Sequence, residues 1–164
     1  MSQHLVDKKR IDVGTKLFEA FHPLGLFEKG EAVVWAASAE VSRIIAHGGR
    51  RLLIIWHPES VNALDPKTGE VRWTIDWPLR SGLSVATPRL HGDQLFLSCF
   101  YKGSMMLKLA GDNSTPEILW RTEIASENPA RTTHLHGIMS TPIFTGEHLY
   151  GLCSYGEFRC LEAS

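Results

Sequence analysis

The sequence is short of the features that would mark it as a secreted disulfide scaffold, a membrane span or a nucleic-acid binder. It has three cysteines, Cys99, Cys153 and Cys160; they fit no zinc spacing and leave one unpaired in any disulfide scheme. It has no excess of positive charge: 17 Lys and Arg stand against 18 Asp and Glu, which excludes the basic footprint of a phosphate-binding surface. No apolar run approaches the roughly 20 residues that span a bilayer. The first ten residues, Met1 to Arg10, lack the apolar stretch of a signal peptide. There is no Gly-rich phosphate loop and no Gly-x-Ser-x-Gly elbow. Long helical periodicity is absent as well, so the pattern has to be sought in strands and turns.

What is present is repetition. Gly49, Gly92 and Gly146 are each followed three residues later by an apolar pair: Leu52-Leu53, Leu95-Phe96 and Leu149-Tyr150. Twelve residues beyond the first member of each pair stands Leu64, Leu107 or Leu161, so the leucines keep the spacing of the glycines. A unit of roughly 40–50 residues signals stacked or radially arranged repeats. In the first copy the expected strands are Ser42–Ala46, Arg51–Trp56, Ser60–Leu64 and Glu70–Ile75, separated by Gly, Pro and Asp turns. In the second they are Ala86–Leu90, Leu95–Phe100, Ser104–Leu109 and Glu117–Thr122. In the third they are Thr141–Phe144, His148–Ser154 and Phe158–Leu161, with no fourth. That copy stops at Leu161-Glu162-Ala163-Ser164, aligned with Leu64 to Lys67, and the expectation is a piece of a larger protein. Upstream, Gly30-Glu31-Ala32-Val33-Val34-Trp35 imitates Gly69-Glu70-Val71-Arg72-Trp73 with one extra residue, so Trp35 is expected to end a preceding unit. Four-stranded antiparallel meanders in series predict an all-β chain, a partial β-propeller of about three blades. The expected division is residues 1–41 as an N-terminal segment, then blades at 42–77, 85–124 and 139–164, the last incomplete.

The segment Ala63-Leu64-Asp65-Pro66-Lys67-Thr68-Gly69-Glu70-Val71-Arg72-Trp73 resembles the repeat of the pyrroloquinoline-quinone-like β-propellers, approximately small–Leu–Asp–x–x–Thr–Gly–x–x–x–Trp. Thr87-Pro88 and Thr141-Pro142 match the Thr/Ser-Pro that opens the innermost strand, and Tyr150 to Leu161 matches the central strand pair. The second copy departs from the pattern, with Gly111-Asp112-Asn113-Ser114 in place of the Thr-Gly turn before Trp120. The resemblance implies a quinoprotein-like propeller and a periplasmic or secreted protein. The family contains quinone-dependent alcohol and glucose dehydrogenases as well as a non-catalytic assembly lipoprotein. No position matches the dehydrogenases' cofactor floor, calcium ligands or catalytic aspartate, so no catalytic, cofactor-binding or metal residue is carried over. The leading expectation is a non-catalytic binding or scaffold module without cofactor, partnered by further blades or other chains at exposed edges. The alternative is part of a dehydrogenase using the quinone with calcium, its catalytic residues outside this chain.

Individual residues follow from that frame. Trp73 and Trp120 are read as blade-docking side chains, because a large flat ring on an outer strand can pack on the neighbouring blade. Asp65, with Thr68 and Gly69, is read as a turn whose carboxylate accepts main-chain N–H bonds. A two-residue turn at Gly156-Glu157 would oppose Cys153 to Cys160, close enough for a disulfide, or for two small apolar residues on one face. The same register opposes Trp56 to Ala63 and Cys99 to Met106 in the other copies. His134-Leu135-His136 would offer two imidazoles on one side only if extended, and no further ligand lies at suitable spacing. The loops between second and third strands, with the linkers between blades, should share one end of the fold. That end would carry His57, Glu59, Trp77, Arg80, Tyr101, Lys102, Arg131, His134, His136, Tyr155 and Glu157, the candidate binding face.

Overall fold

A computed structural model describes residues 42–56, 58–79, 85–122, 128–154 and 156–163. Residues 1–41, including Trp35, and the candidate residues His57, Arg80 and Tyr155 lie outside this set. Among the described residues, eleven strands form three antiparallel sheets of four, four and three strands, and there is no α-helix. The first sheet is β1 (Ser42–His47), β2 (Arg50–Trp56), β3 (Ser60–Leu64) and β4 (Val71–Asp76). The second is β5 (Arg89–His91), β6 (Gln94–Cys99), β7 (Gly103–Lys108) and β8 (Glu117–Arg121). The third is β9 (Ile143–Thr145), β10 (His148–Leu152) and β11 (Phe158–Glu162). Each sheet is a meander in chain order. A 3-10 turn, Pro129–Arg131, lies in the second linker. The strands fall where the alternation and turn residues place them. The entering strands β5 and β9 begin later than expected, immediately after Pro88 and Pro142, because proline has no N–H to give to a ladder.

In the first copy both marks of the spacing move, the glycine one residue earlier and the leucine partner one residue later. The first hairpin of each sheet turns at Gly48-Gly49, Gly92-Asp93 and Gly146-Glu147. The first turn residue has φ of 56°, 59° and 56° in the three copies, so Gly48 rather than Gly49 is the counterpart of Gly92 and Gly146. In the opposite direction, Leu53, one residue after Leu52, pairs with Leu64, as Leu95 pairs with Leu107 and Leu149 with Leu161, so the first copy is two residues longer between its turn glycine and the paired leucine.

The second hairpins also correct the expected register. In the third sheet Cys160 opposes Tyr150, not Cys153. Gly156 takes φ 86°, the Cys153 N–H donates to Glu157 O at 2.8 Å, and three residues close the turn instead of two. A three-residue loop with glycine in the left-handed conformation is the next commonest hairpin closure, and it displaces every pair beyond it. In the second sheet three residues, 100–102, likewise separate Cys99 from Gly103, but there the left-handed glycine (φ 77°) is Gly103 itself, one place later than Gly156, and Phe96, not Cys99, stands opposite Met106. Trp56 opposes Val61 rather than Ala63. All three thiols are free, with Cys99 and Cys153 buried and Cys160 exposed.

Pairing register decides which face each side chain takes, and the faces assemble two cores. Ile54, Trp56, Ala63, Trp73 and Ile75 of the first sheet pack with Leu95, Leu97, Met105 and Leu107 of the second. Phe96 and Met106, on the reverse of the second sheet, pack with Leu135, Leu149 and Cys153, and with the half-buried Trp120, Phe144 and Leu161. The second sheet is therefore buried on both faces, which explains its near-continuous apolar strands. Trp73 lies in the first core and Trp120 in the second, each opposite a position one residue before the repeated leucine, Ala63 or Met106. Burial of a ring of this size removes roughly 150–250 Å² from water.

Two outcomes are expected. Gly92→Ala should cost about 1–2 kcal/mol, the price of a Cβ in the left-handed region. Gly48→Ala should cost more at nearly the same φ, because its Cβ would lie 2.0 Å from the Gly111 carbonyl oxygen, whereas nothing lies within 4 Å at Gly92. Denaturant midpoints of the two variants compare them directly. In a native-state thiol assay Cys160 should react and Cys99 should not, since burial pushes the Cys99 thiol up to about 12. Equal reactivity of Cys99 and Cys160 would contradict the packing of the first core.

Candidate functional site

The loops at the end where second strands turn into third strands are held by the linkers that follow each sheet. Over the first sheet, the Trp77 N–H donates to Glu59 O at 2.9 Å, and the Trp77 ring stacks on Trp56 with centroids 5.1 Å apart and planes 7° from parallel. Trp77 is only 2% exposed, so it braces the loop instead of presenting a ring to solvent. Glu59 is exposed.

The second linker does more. Residues 132–137 run as a strap between the second and third sheets, and the main chain of Leu135, His136 and Gly137 bonds to alternate sides. On the side of the second sheet, the Ser98 hydroxyl donates to Leu135 O at 3.0 Å and accepts from Gly137 N at 2.9 Å, while Ser104 Oγ accepts from Leu135 N at 3.3 Å. On the side of the third sheet, the Ser154 N–H and hydroxyl both donate to His136 O at 3.0 Å, and His136 N donates to Cys153 Sγ at 3.4 Å. Buried main-chain groups left unpaired would each cost about 1–3 kcal/mol, and these side chains remove that cost. Leu135 fills the space beside Gly151, where a Cβ would come within 2.9 Å of Leu135 Cδ1.

Arg159 on β11 clamps the start of the strap. Its Nη1 donates to His134 O at 2.8 Å and its Nη2 to Thr132 Oγ1 at 3.0 Å, while Nε donates to Glu157 Oε2 at 2.9 Å. His134 has φ 63°, a left-handed conformation uncommon outside glycine, and its ring stacks on Trp120 with centroids 4.6 Å apart. His136 is fully buried, with Nδ1 2.8 Å from Phe100 O and Nε2 3.0 Å from Thr133 O. A neutral imidazole has one N–H and serves one of these carbonyls; the cation would serve both. Burial opposes that cation and is the largest influence, the two carbonyls push the other way, and Arg159 adds repulsion, so the His136 pKa lies below its ordinary 6.5. Burial, then the charge of His136, lowers His134 as well.

The structure thus joins the turn of Tyr101 and Lys102, the strap of His134 and His136, and the turn of Glu157 into one cluster. Tyr101, Lys102 and His134 are half-buried, and Arg131 and Glu157 are exposed. His136 is a buried brace and leaves the expected binding face, because its ring is enclosed between two loops. The two imidazoles do not converge on a metal; among the described residues no group of three or more His, Cys, Asp or Glu is placed to hold one. Asp65 sits in its turn, Oδ1 accepting from Lys67 N at 2.8 Å and Thr68 N at 3.3 Å, with Arg72 on Oδ2 at 3.0 Å. These bonds, the Lys67 amide foremost, lower its pKa. Gly69 (φ 75°) donates to Asp65 O, closing the turn.

Ser98, Ser104, Cys153 and Arg159 were missed by sequence reasoning. The available signal was a polar residue on an otherwise apolar strand, Ser98 in β6 and Ser104 in β7, where burial without a partner is costly. No protein-family model matches the chain, and no curated protein matches it. No helix among the described residues is long and apolar enough to cross a membrane.

The strap should make stability pH-dependent. With the folded pKa of His136 below 6.5, the unfolded chain takes up the proton first. Its contribution is therefore full above that value and is lost as pH falls below it through the folded pKa. Urea midpoints should fall from pH 7.5 to 5, and His136→Asn should flatten that slope. An unchanged slope in the variant would show that His136 does not titrate differently on folding.

Proposed function

We propose that the protein is a non-catalytic binding or scaffold module of a quinoprotein-like β-propeller, with its sheets as successive blades. One observation carries the reading: the groups most suited to chemistry at the seam, His136, Arg159 and the two serines, are engaged with main-chain carbonyls and amides that hold the linker in place. Such groups position loops. The exposed Glu59, Arg131 and Glu157, with the half-buried Tyr101, Lys102 and His134, are the mixture of aromatic and charged groups found on recognition loops. The architecture is supported by the face-to-face order of the three sheets and by Trp73 and Trp120, which fill corresponding places in successive cores. Fold class alone does not decide function, so the ligand has to be sought by experiment.

Titration of the purified chain with pyrroloquinoline quinone and calcium should give no saturable absorbance or heat change. Screening against oligosaccharides and peptides by thermal shift should give a ligand whose effect is lost in Lys102→Ala and Tyr101→Ala. Saturable quinone binding at micromolar concentration, with dye reduction on adding an alcohol or sugar, would instead place the chain with the dehydrogenases.

A further inference from the structure

At the end away from the strap, the core between the first and second sheets closes on two turns. One is the hairpin turn at Gly48-Gly49, between β1 and β2. The other follows β7, and Asn113 N donates to Ala110 O across it at 2.9 Å. Ile45 and Leu109 are both members of that core. His47 lies two residues beyond Ile45 in β1, on the same side of the strand. The second turn begins directly after Leu109. The two turns touch, since a Cβ on Gly48 would collide with the Gly111 carbonyl oxygen. Arg50 on the hairpin and Asp112 on the turn are close enough for their charges to attract.

Each turn brings a polar group to this seam and encloses it. Asn113 is only 6% exposed, and neither its Oδ1 nor its Nδ2 has a hydrogen-bond partner among the described residues. On the hairpin, His47 is half-buried, but its Nε2 is enclosed and likewise lacks a partner among the described residues. Buried side-chain nitrogens and oxygens are nearly always hydrogen-bonded, so three such atoms on two touching turns point to a ligand. Backbone conformation does not account for the amide. Asn113 has φ 61°, which glycine would meet as well, as Gly69 does at 75° in the turn after β3.

The atoms limit what the ligand can be. Asn113 Oδ1 only accepts and Nδ2 only donates, while Nε2 of a neutral imidazole does either, according to its tautomer. A bare cation would serve Oδ1 and be repelled by the Nδ2 hydrogens; a bare anion would reverse the fault. The charged neighbours do not alter this. Arg50 and Asp112 are exposed, and Asp112 Oδ1 accepts from Ser114 N at 3.0 Å. The ligand must donate and accept, and must fit where two main chains touch. Water meets both conditions.

We propose that this seam is a structural hydration site, with water bound between the Asn113 amide and His47 Nε2. The bridge joins the first sheet to the second by polar bonds, at the place where the approach of Gly48 to Gly111 leaves no room for a side chain. It fixes the far end of the same core that Trp56 and Trp77 close at the loop end.

The test uses the isotope-labelled full chain. Rotating-frame exchange spectra should show a long-lived water in contact with the Asn113 side-chain amide, whose signal is identified by its loss in Asn113→Asp. A crystal structure should place one solvent molecule within hydrogen-bond reach of both Asn113 and His47. Asn113→Gly keeps the left-handed φ and removes one anchor; His47→Leu removes the other. Urea unfolding of the two variants and their combination should show coupling. The joint effect on the unfolding constant should differ at least about threefold from the product of the single effects, as for residues that share a partner. If a variant does not fold, the water contact in the unaltered protein decides. Absence of water at the Asn113 amide, a bond from that amide to any other part of the chain in its place, or independent effects of the two variants would each overturn the proposal.

Discussion

A chain that passes between two packed sheets must satisfy its own main chain there, and the strap at 132–137 is where this protein meets that demand. Leu135, His136 and Gly137 are buried there, so each N–H and C=O of that stretch needs a protein partner. The partners are mainly side chains, joined by the Ser154 N–H, which donates to His136 O. Ser98 and Ser104 serve the residues facing the second sheet; Ser154 and Cys153 serve the residue between them. Successive residues Leu135, His136 and Gly137 turn their main-chain groups to opposite sides, which makes this division possible. Leu135 can then enter the core only because Gly151 leaves it room.

The strap in turn fixes what lies at the loop end. Its His136 ring touches the loop after β6 through Phe100 O, and its main chain is bonded to the loop after β10 through Ser154. Two hairpins from different sheets are thereby held in one arrangement. Arg159 adds a third tie from β11 to the same segment. If the loop end is the recognition surface proposed above, these ties order the segments that carry Tyr101, Lys102 and Glu157 beforehand, and side chains so ordered lose less freedom on binding.

The second sheet, enclosed on both faces, shows how one sheet depends on the next. Its strands are apolar almost without interruption, and the interruptions are the two serines. The outer strands β4 and β8 are protected by bulges, and their tryptophans turn inward to the seams. The third sheet repeats the inward face, with Leu149 and Leu161 against the second sheet, but its other face carries Ile143, Leu152 and Phe158 in the open.

Much of the local structure was legible in the sequence. The strands, the turns at Gly92-Asp93 and Gly146-Glu147, and the Asp65 turn follow from period-two alternation and from the few residues that accept a left-handed φ, both short-range effects. Only the tertiary structure decided the rest. The hairpin registers shifted because Gly103 and Gly156 close longer loops than a two-residue turn, and a loop's length is not written in the strands it joins. Trp77 and His136 resemble surface loop residues in sequence, yet both are buried, because Trp56 stands over one and two hairpins close on the other. Burial depends on what stands opposite, and what stands opposite Ser98 or Arg159 is a segment more than twenty residues away in the chain.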